Sequence, residues 1–176
     1  MIACYRIPQS PRQRASSEML YAFLVEGRPV PQGSMVASYN RKQGVAHVHH
    51  QQGEALALWR NSIRIAARSA GVNPSALPIR LTVVFGMVRP KAHMRLQGGR
   101  YVPKVSYYYA RPSVAPDIDK LLRAVSDALT GVGYVDDAQI VEVHCSKIYA
   151  DNTYIEITDE GITAEQQTLS AEMGEH

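Results

Sequence analysis

Cysteine is nearly missing from this chain. Cys4 and Cys145 are the only two in 176 residues, too few for a disulfide scaffold or a thiolate zinc site. Long apolar runs are also lacking, and none approaches the roughly 20 residues that span a bilayer. The opening segment MIACYRIPQSPRQR has no apolar stretch of the secretory type. These absences predict a soluble, non-membrane protein of a reducing compartment. The length predicts one domain with a real core and a short tail. Acidic residues are scarce in one part only. Residues 1–110 hold 15 Lys and Arg against Glu18, Glu26 and Glu54, a balance of +12. Residues 111–176 hold four Lys and Arg against 13 acids, a balance of −9, so the overall +3 conceals two opposed halves. A basic half attracts polyanions and releases their counterions. An acidic half repels phosphate unless cations sit in it.

The pattern divides the chain into a basic N-terminal arm (1–19), a domain (20–160) and a polar tail (161–176). Strands are expected at 21–26 and 79–88, and a helix at 54–70 with Leu56, Trp59, Ile63 and Ala67 on one face. Arg60, Arg64 and Arg68 recur every fourth residue, either as a solvated face or as a stripe for phosphate. Residues 89–116 read as a long basic loop with Arg89, Lys91, Arg95, Arg100, Lys104 and Arg111 among tyrosines. Such interleaving suits phosphate contact and base stacking, the alternative being a mobile flap. The apolar spacing of Ile118, Leu121, Leu122, Val125, Ala128 and Leu129 predicts a helix over 118–129. Residues 138–149 and 153–158 read as two strands of a hairpin. A capping box at Thr163 and Gln166 suggests a short terminal helix. The fold class expected is α+β, a mixed sheet of about four strands with two main helices.

Two aspartate pairs carry the chemistry. Asp117 and Asp119 open the 118–129 helix, and Asp136-Asp137 precede the next strand. Asp117 is a natural N-cap and Asp119 suits the positive helix start. Asp136-Asp137 also suits a turn. The alternative is a shared cation site. Two carboxylates about 4 Å apart repel by on the order of 4 kcal/mol at an effective dielectric of 20, and Mg²⁺ removes that cost while bridging to substrate phosphate. A 12-residue helix spans roughly 18 Å, so the glycine turn and Tyr134-Val135 would have to carry Asp136 back along it. Lys147 falls about 33 Å beyond Asp137 at strand rise, which excludes it from a site centred there. His47, His49 and His50 lack a fourth ligand for zinc and suit a basic loop beside DNA.

The segment PDIDKLLRAVSDALTGVGYVDDAQIVEV, residues 116–143, resembles the signature region of the RusA family of Holliday junction resolvases, phage-type members especially. The shared pattern is Asp117-x-Asp119, Asp127-Ala128-Leu129, Gly133, Asp136-Asp137 and Gln139. The close match covers about thirty residues of the chain. The resemblance implies a homodimeric, Mg²⁺-dependent endonuclease, with Mn²⁺ as a substitute, that resolves four-way DNA junctions by paired symmetric nicks. It implies a bacterial or phage-infected host cytoplasm as the setting. Its metal ligands would be Asp117, Asp119 and Asp137, with Asp136 in support. The family's helix lysine is replaced here by Arg123, a charge that does not donate protons because its pKa stays above 12. Lys120 would supply the amine instead. Arg60, Arg64 and the 89–111 basic residues would hold the DNA arms. Two rivals accompany this reading: a module that grips branched or single-stranded DNA without cutting, and an enzyme acting on small nucleotides.

Overall fold

The computed structural model describes residues 20–33, 35–40, 44–50 and 53–159. The expected arm at 1–19 and tail at 161–176, with its capping box, lie outside the described residues. The elements in chain order are β1 (Leu20–Glu26), β2 (Met35–Asn40), β3 (Val45–His50), α1 (Gly53–Ser69) and β4 (Ile79–Met87). They continue with β5 (Met94–Gln97), β6 (Arg100–Pro103), α2 (Ile118–Leu129), β7 (Ile140–Tyr149) and β8 (Asn152–Asp159). Two helices and a mixed four-stranded sheet make this an α+β fold, as expected.

The main sheet runs β1-β8-β4-β7. β4 is antiparallel to β8 and parallel to β7. Its alternate residues Ile79, Leu81, Val83 and Phe85 are wholly buried, because a central strand under helices hides one full face. α2 meets that face with Leu121, Ala124, Val125, Ala128 and Leu129, and α1 with Leu56, Trp59, Ile63 and Ala67. Burial of apolar side chains at helical and strand period is what joins these elements into one core.

Three expectations change. Residues 138–149 and 153–158 do not form a hairpin: β4 lies between β7 and β8. Each of them pairs with the central β4 rather than with the other. The chain therefore crosses the end of β4, where the Ala150 N–H donates to the Met87 carbonyl at 3.2 Å. Residues 89–116 are not one loop either. They contain the β5–β6 hairpin, turned by Gly98 and Gly99 at φ +58° and +75°, between two single 3-10 turns. Positive φ at two consecutive residues is what a tight hairpin turn demands. Met35–Asn40 and Val45–His50 pair as a second antiparallel ribbon, β2–β3, on which His47, His49 and His50 fall; their side chains lie outside the described residues.

The third change concerns Arg60. Its guanidinium donates to Asp127 Oδ2 at 2.5 Å and to Gln32 Oε1, tying the 27–33 loop to α1 and α2. It is thus turned inward, with a side chain only 21% exposed, rather than toward a DNA arm. Arg64, one turn on, is half-buried, and Arg68 is exposed. We expect Arg60→Ala to lower unfolding stability by about 2 kcal/mol, since it leaves Asp127 and Gln32 unpaired at a partly buried position. Denaturant melts read this loss, and the salt dependence of DNA binding should stay at its wild-type slope.

Candidate active site

Pro116 leads the chain into α2, and the Asp117 residue that follows has extended backbone at φ −68°, ψ 142°. This is N-cap geometry, yet the Asp117 side chain makes no cap hydrogen bond. Its Oδ2 instead accepts from Lys120 Nζ at 2.7 Å. The capping explanation of Asp117 therefore fails at the level of the side chain. The Lys120 ammonium beside it, and more weakly Lys147, hold the Asp117 carboxyl below the usual carboxylate range. The same pairing raises the Lys120 amine. Asp119 is exposed in the first turn of the helix. Arg123 follows one turn later, exposed, on the face that an i, i+4 spacing shares with Asp119.

Lys147 belongs to this corner. Its Nζ donates to the carbonyls of Val114 and Pro116 at 2.9 and 3.0 Å. Sequence reasoning excluded it for its distance from Asp137, and that distance is real. The error lay in measuring from the wrong end of the helix. β7 runs antiparallel to α2, so its last third lies beside the helix start.

Asp136 and Asp137 stand at the other end. Asp136 Oδ1 accepts from the Ala138 N–H at 2.8 Å, capping the 3-10 turn at 137–139. Gln139 closes that turn, accepting from the Val135 and Asp136 N–H groups at 2.9 Å. Its amide donates to the Ser75 and Leu77 carbonyls at 3.0 and 2.9 Å. The turn explanation thus accounts for Asp136, and Gln139 is a structural latch. Asp137 is exposed. The buried Tyr134 hydroxyl donates to the Ser126 carbonyl at 2.9 Å, near the end of α2. Burial first, then the charges of Asp137 and Asp127, push the Tyr134 pKa far up. Tyr134 thus fixes the Asp136-Asp137 turn at the far end of α2, and ten residues of helix between Asp117 and Asp127 rise about 15 Å. The four aspartates do not converge within one chain. Among the described residues no three His, Cys, Asp or Glu side chains gather as a metal site.

The Asp117–Asp119 pair alone still suits Mg²⁺, which needs only one or two protein carboxylates and fills its shell with water and substrate phosphate. Its exposure leaves room for those ligands. Beside it opens a cavity of about 690 Å³ lined by Arg28, Pro29, Pro31, Pro116, Asp117 and Lys120. Its far wall is the 27–33 loop, fixed by the Gln32 N–H donating to the Lys120 carbonyl at 2.9 Å. Arg28 and Lys120 bring two cationic side chains to this cavity, beside the Asp117 carboxylate.

The basic residues of 89–111 are arrayed on the β5–β6 side. Lys91, Arg95, Arg100, Lys104 and Arg111 are all exposed. Tyr101, Tyr107, Tyr108 and Tyr109 are exposed among them. Arg89 differs: it donates to the Tyr107 carbonyl at 2.6 Å and lies 4.4 Å over the Tyr149 ring, so it anchors this segment to β7. No helix among the described residues is long and apolar enough to cross a membrane.

Fold and site together define a class: a small α+β protein with two helix-start carboxylates, an adjoining cavity and a basic hairpin. The chain belongs to the RusA endodeoxyribonuclease family, whose model, Endodeoxyribonuclease RusA, matches residues 26–158. It is also similar to the uncharacterized protein YqaN of Bacillus subtilis (strain 168), 35% identical over 54 residues. That similarity spans 31% of this chain and 38% of YqaN.

Proposed function

We propose that this chain is a Mg²⁺-dependent endodeoxyribonuclease that acts as a homodimer and resolves four-way DNA junctions by paired nicks. The observation that carries this reading is the exposed Asp117–x–Asp119 corner, freed from capping and bordered by Lys120, Arg123 and Lys147. Asp117 and Asp119 hold the cation. When bound, Mg²⁺ supplies Lewis-acid stabilisation at phosphorus and lowers the pKa of water. Arg28 and Lys120 seat the phosphodiester in the adjoining cavity. Arg123 adds a fixed positive charge toward the phosphate, with no proton to give. Lys147, bound to two carbonyls, keeps the Pro116–Asp117 corner in place. A two-fold dimer matches a junction with two equivalent strands to cut.

Labelled four-way, Y-shaped and linear DNA, incubated with and without Mg²⁺, tests the proposal. The expected result is Mg²⁺-dependent paired nicking of the four-way substrate above the others, with Mn²⁺ substituting. Junction binding without nicking under every divalent metal would assign the chain to the non-cleaving class instead. The basic hairpin makes a separate prediction about salt. Each neutralised phosphate contributes about −0.9 to the slope of log K against log salt. Arg100→Ala with Lys104→Ala should flatten that slope by about two units, measured by fluorescence anisotropy on a four-way junction. A small-nucleotide enzyme would show no such slope.

A further inference from the structure

We infer that His93 and Tyr149 are positioning residues: their rings clasp the basic β5–β6 hairpin to β7, beside the lysine that holds the acidic corner, and so fix the spacing between the grip on one DNA arm and the cut beside another. This rests on the nuclease reading above and names what makes its grip select a branched substrate. The hairpin lies between β4 and α2 in sequence. It and its flanks carry Lys91, Arg95, Arg100, Lys104 and Arg111, all exposed. Residues 55–116 contain no Asp or Glu, so no acid close in sequence can tie these cations down. An ion pair would also cancel charge needed for phosphate. Aromatic rings hold a cationic segment without neutralising it, because a ring face attracts a guanidinium and stacks on another ring.

That is the attachment seen. The His93 ring stacks on Tyr107 at 4.0 Å and 6°, and it meets Tyr149 edge-on at 5.8 Å and 86°. The Arg89 guanidinium lies over the Tyr149 ring and donates to the Tyr107 carbonyl. His93 Nδ1 is buried and has no hydrogen-bond partner among the described residues, so ring contact rather than polar bonding holds this side chain. The His93 main chain belongs to the hairpin. Its carbonyl accepts from the Lys104 N–H at 2.9 Å, one step beyond the Met94–Pro103 pair. Tyr149 belongs to β7, opposite Met87 of β4, and packs against the core. One residue thus ends the hairpin, the other ends the sheet strand, and their rings meet.

Tyr149 also shares a face of β7 with Lys147, two residues and about 7 Å back along the strand. Lys147 donates to the Val114 and Pro116 carbonyls at the entry to α2. The segment 89–116 is therefore fastened at both ends to one short stretch of β7. Phosphate contacts fix the register and orientation of bound DNA. With the hairpin fastened, a DNA arm on it is held at a set place relative to Asp117 and Asp119. A four-way junction offers a second arm to the corner at the same time, whereas a linear duplex offers one line of phosphates. Released, the hairpin keeps every charge and loses that set place. A misplacement of about 1 Å can cost on the order of 100-fold in rate.

His93→Ala and Tyr149→Leu remove the ring contact, and Tyr149→Phe keeps it. His93 lies outside the buried core, so its variant should fold even where Tyr149→Leu does not. Trypsin digestion without DNA reads the attachment: cleavage after Arg95 and Arg100 should be about tenfold faster in both released variants, as local opening becomes easier. In Ca²⁺, fluorescence anisotropy should give an unchanged affinity for linear duplex, since the charges remain. Affinity for the four-way junction should fall about tenfold toward the linear value, and single-turnover nicking in Mg²⁺ by about the same factor. Tyr149→Phe should match wild type in all three. Slow digestion of both released variants would overturn the inference, and so would faster digestion with an unchanged four-way preference. A Tyr149→Phe chain as defective as Tyr149→Leu would overturn it too, as would an equal loss on linear and four-way DNA in His93→Ala. If wild type nicks nothing under any divalent metal, the nuclease reading falls alone, and the ratio of four-way to linear affinity still decides the inference.

Discussion

Asp119→Asn should reduce Mg²⁺-dependent nicking by on the order of 10³-fold, the size of effect seen when one preorganised electrostatic partner of a transition state is lost. The substitution keeps the side chain's shape and removes its charge. Asp119 is exposed and caps nothing, so its folding role is limited to the helix dipole, about 0.3–1 kcal/mol. Thermal melts should therefore move little. Binding is expected to survive, because a carboxylate beside phosphate repels it once the cation is gone. Gel shifts on a four-way junction in Ca²⁺ should match wild type or tighten. Single-turnover nicking that retains more than about a tenth of wild-type rate would remove Asp119 from the cation site. Asp117→Asn is the less clean variant, because it also releases Lys120 from its 2.7 Å pairing.

The sequence motif and the site turn out to be different things. Asp127, Gly133, Asp136 and Gln139 all belong to the recognisable pattern, and each has a structural task. Asp127 receives Arg60, Asp136 and Gln139 close a turn, and Gly133 sits where a Cβ would lie 2.8 Å from Ile157. Only Asp117, Asp119 and Asp137 remain exposed and uncommitted to the fold itself. The helix at 118–129 was legible because its apolar spacing is unbroken, and β4 because its alternation is complete. The β5–β6 hairpin was missed, because the prolines and arginines around Gly98-Gly99 weigh toward a loop. The inward turn of Arg60 left no signal, since an i, i+4 arginine stripe looks the same whether solvated or paired. The place of Lys147 was hidden because sequence gives the length of β7 but not the direction in which it passes α2.

Gly86→Ala should be the most damaging small substitution in the fold, at about 3 kcal/mol of unfolding stability, at the upper end of overpacking effects. The reason lies in the strand order. Because β4 separates β7 from β8, the connection at 150–152 must pass over the end of β4, and it does so at Gly86. A Cβ there would stand 2.1 Å from the Asn152 carbonyl oxygen, 2.6 Å from its carbon and 3.0 Å from the Ala150 oxygen. All three are backbone atoms, so no side chain can rotate out of the way. Gly86 also donates its N–H to the buried Thr153 hydroxyl at 3.3 Å, so a shift of β4 would break that contact as well. The strain would spread to both neighbours of the central strand, and with β7 to the lysine that holds the Asp117 corner. Against a domain stability of about 5–15 kcal/mol, such a loss is large. Urea unfolding should show a lower midpoint at unchanged m. Gly53→Ala, where a Cβ meets nothing within 4 Å, serves as the control and should move the midpoint little. A Gly86→Ala chain as stable as wild type would mean that the crossing is looser than drawn, and that β7 can shift without disturbing the corner it supports.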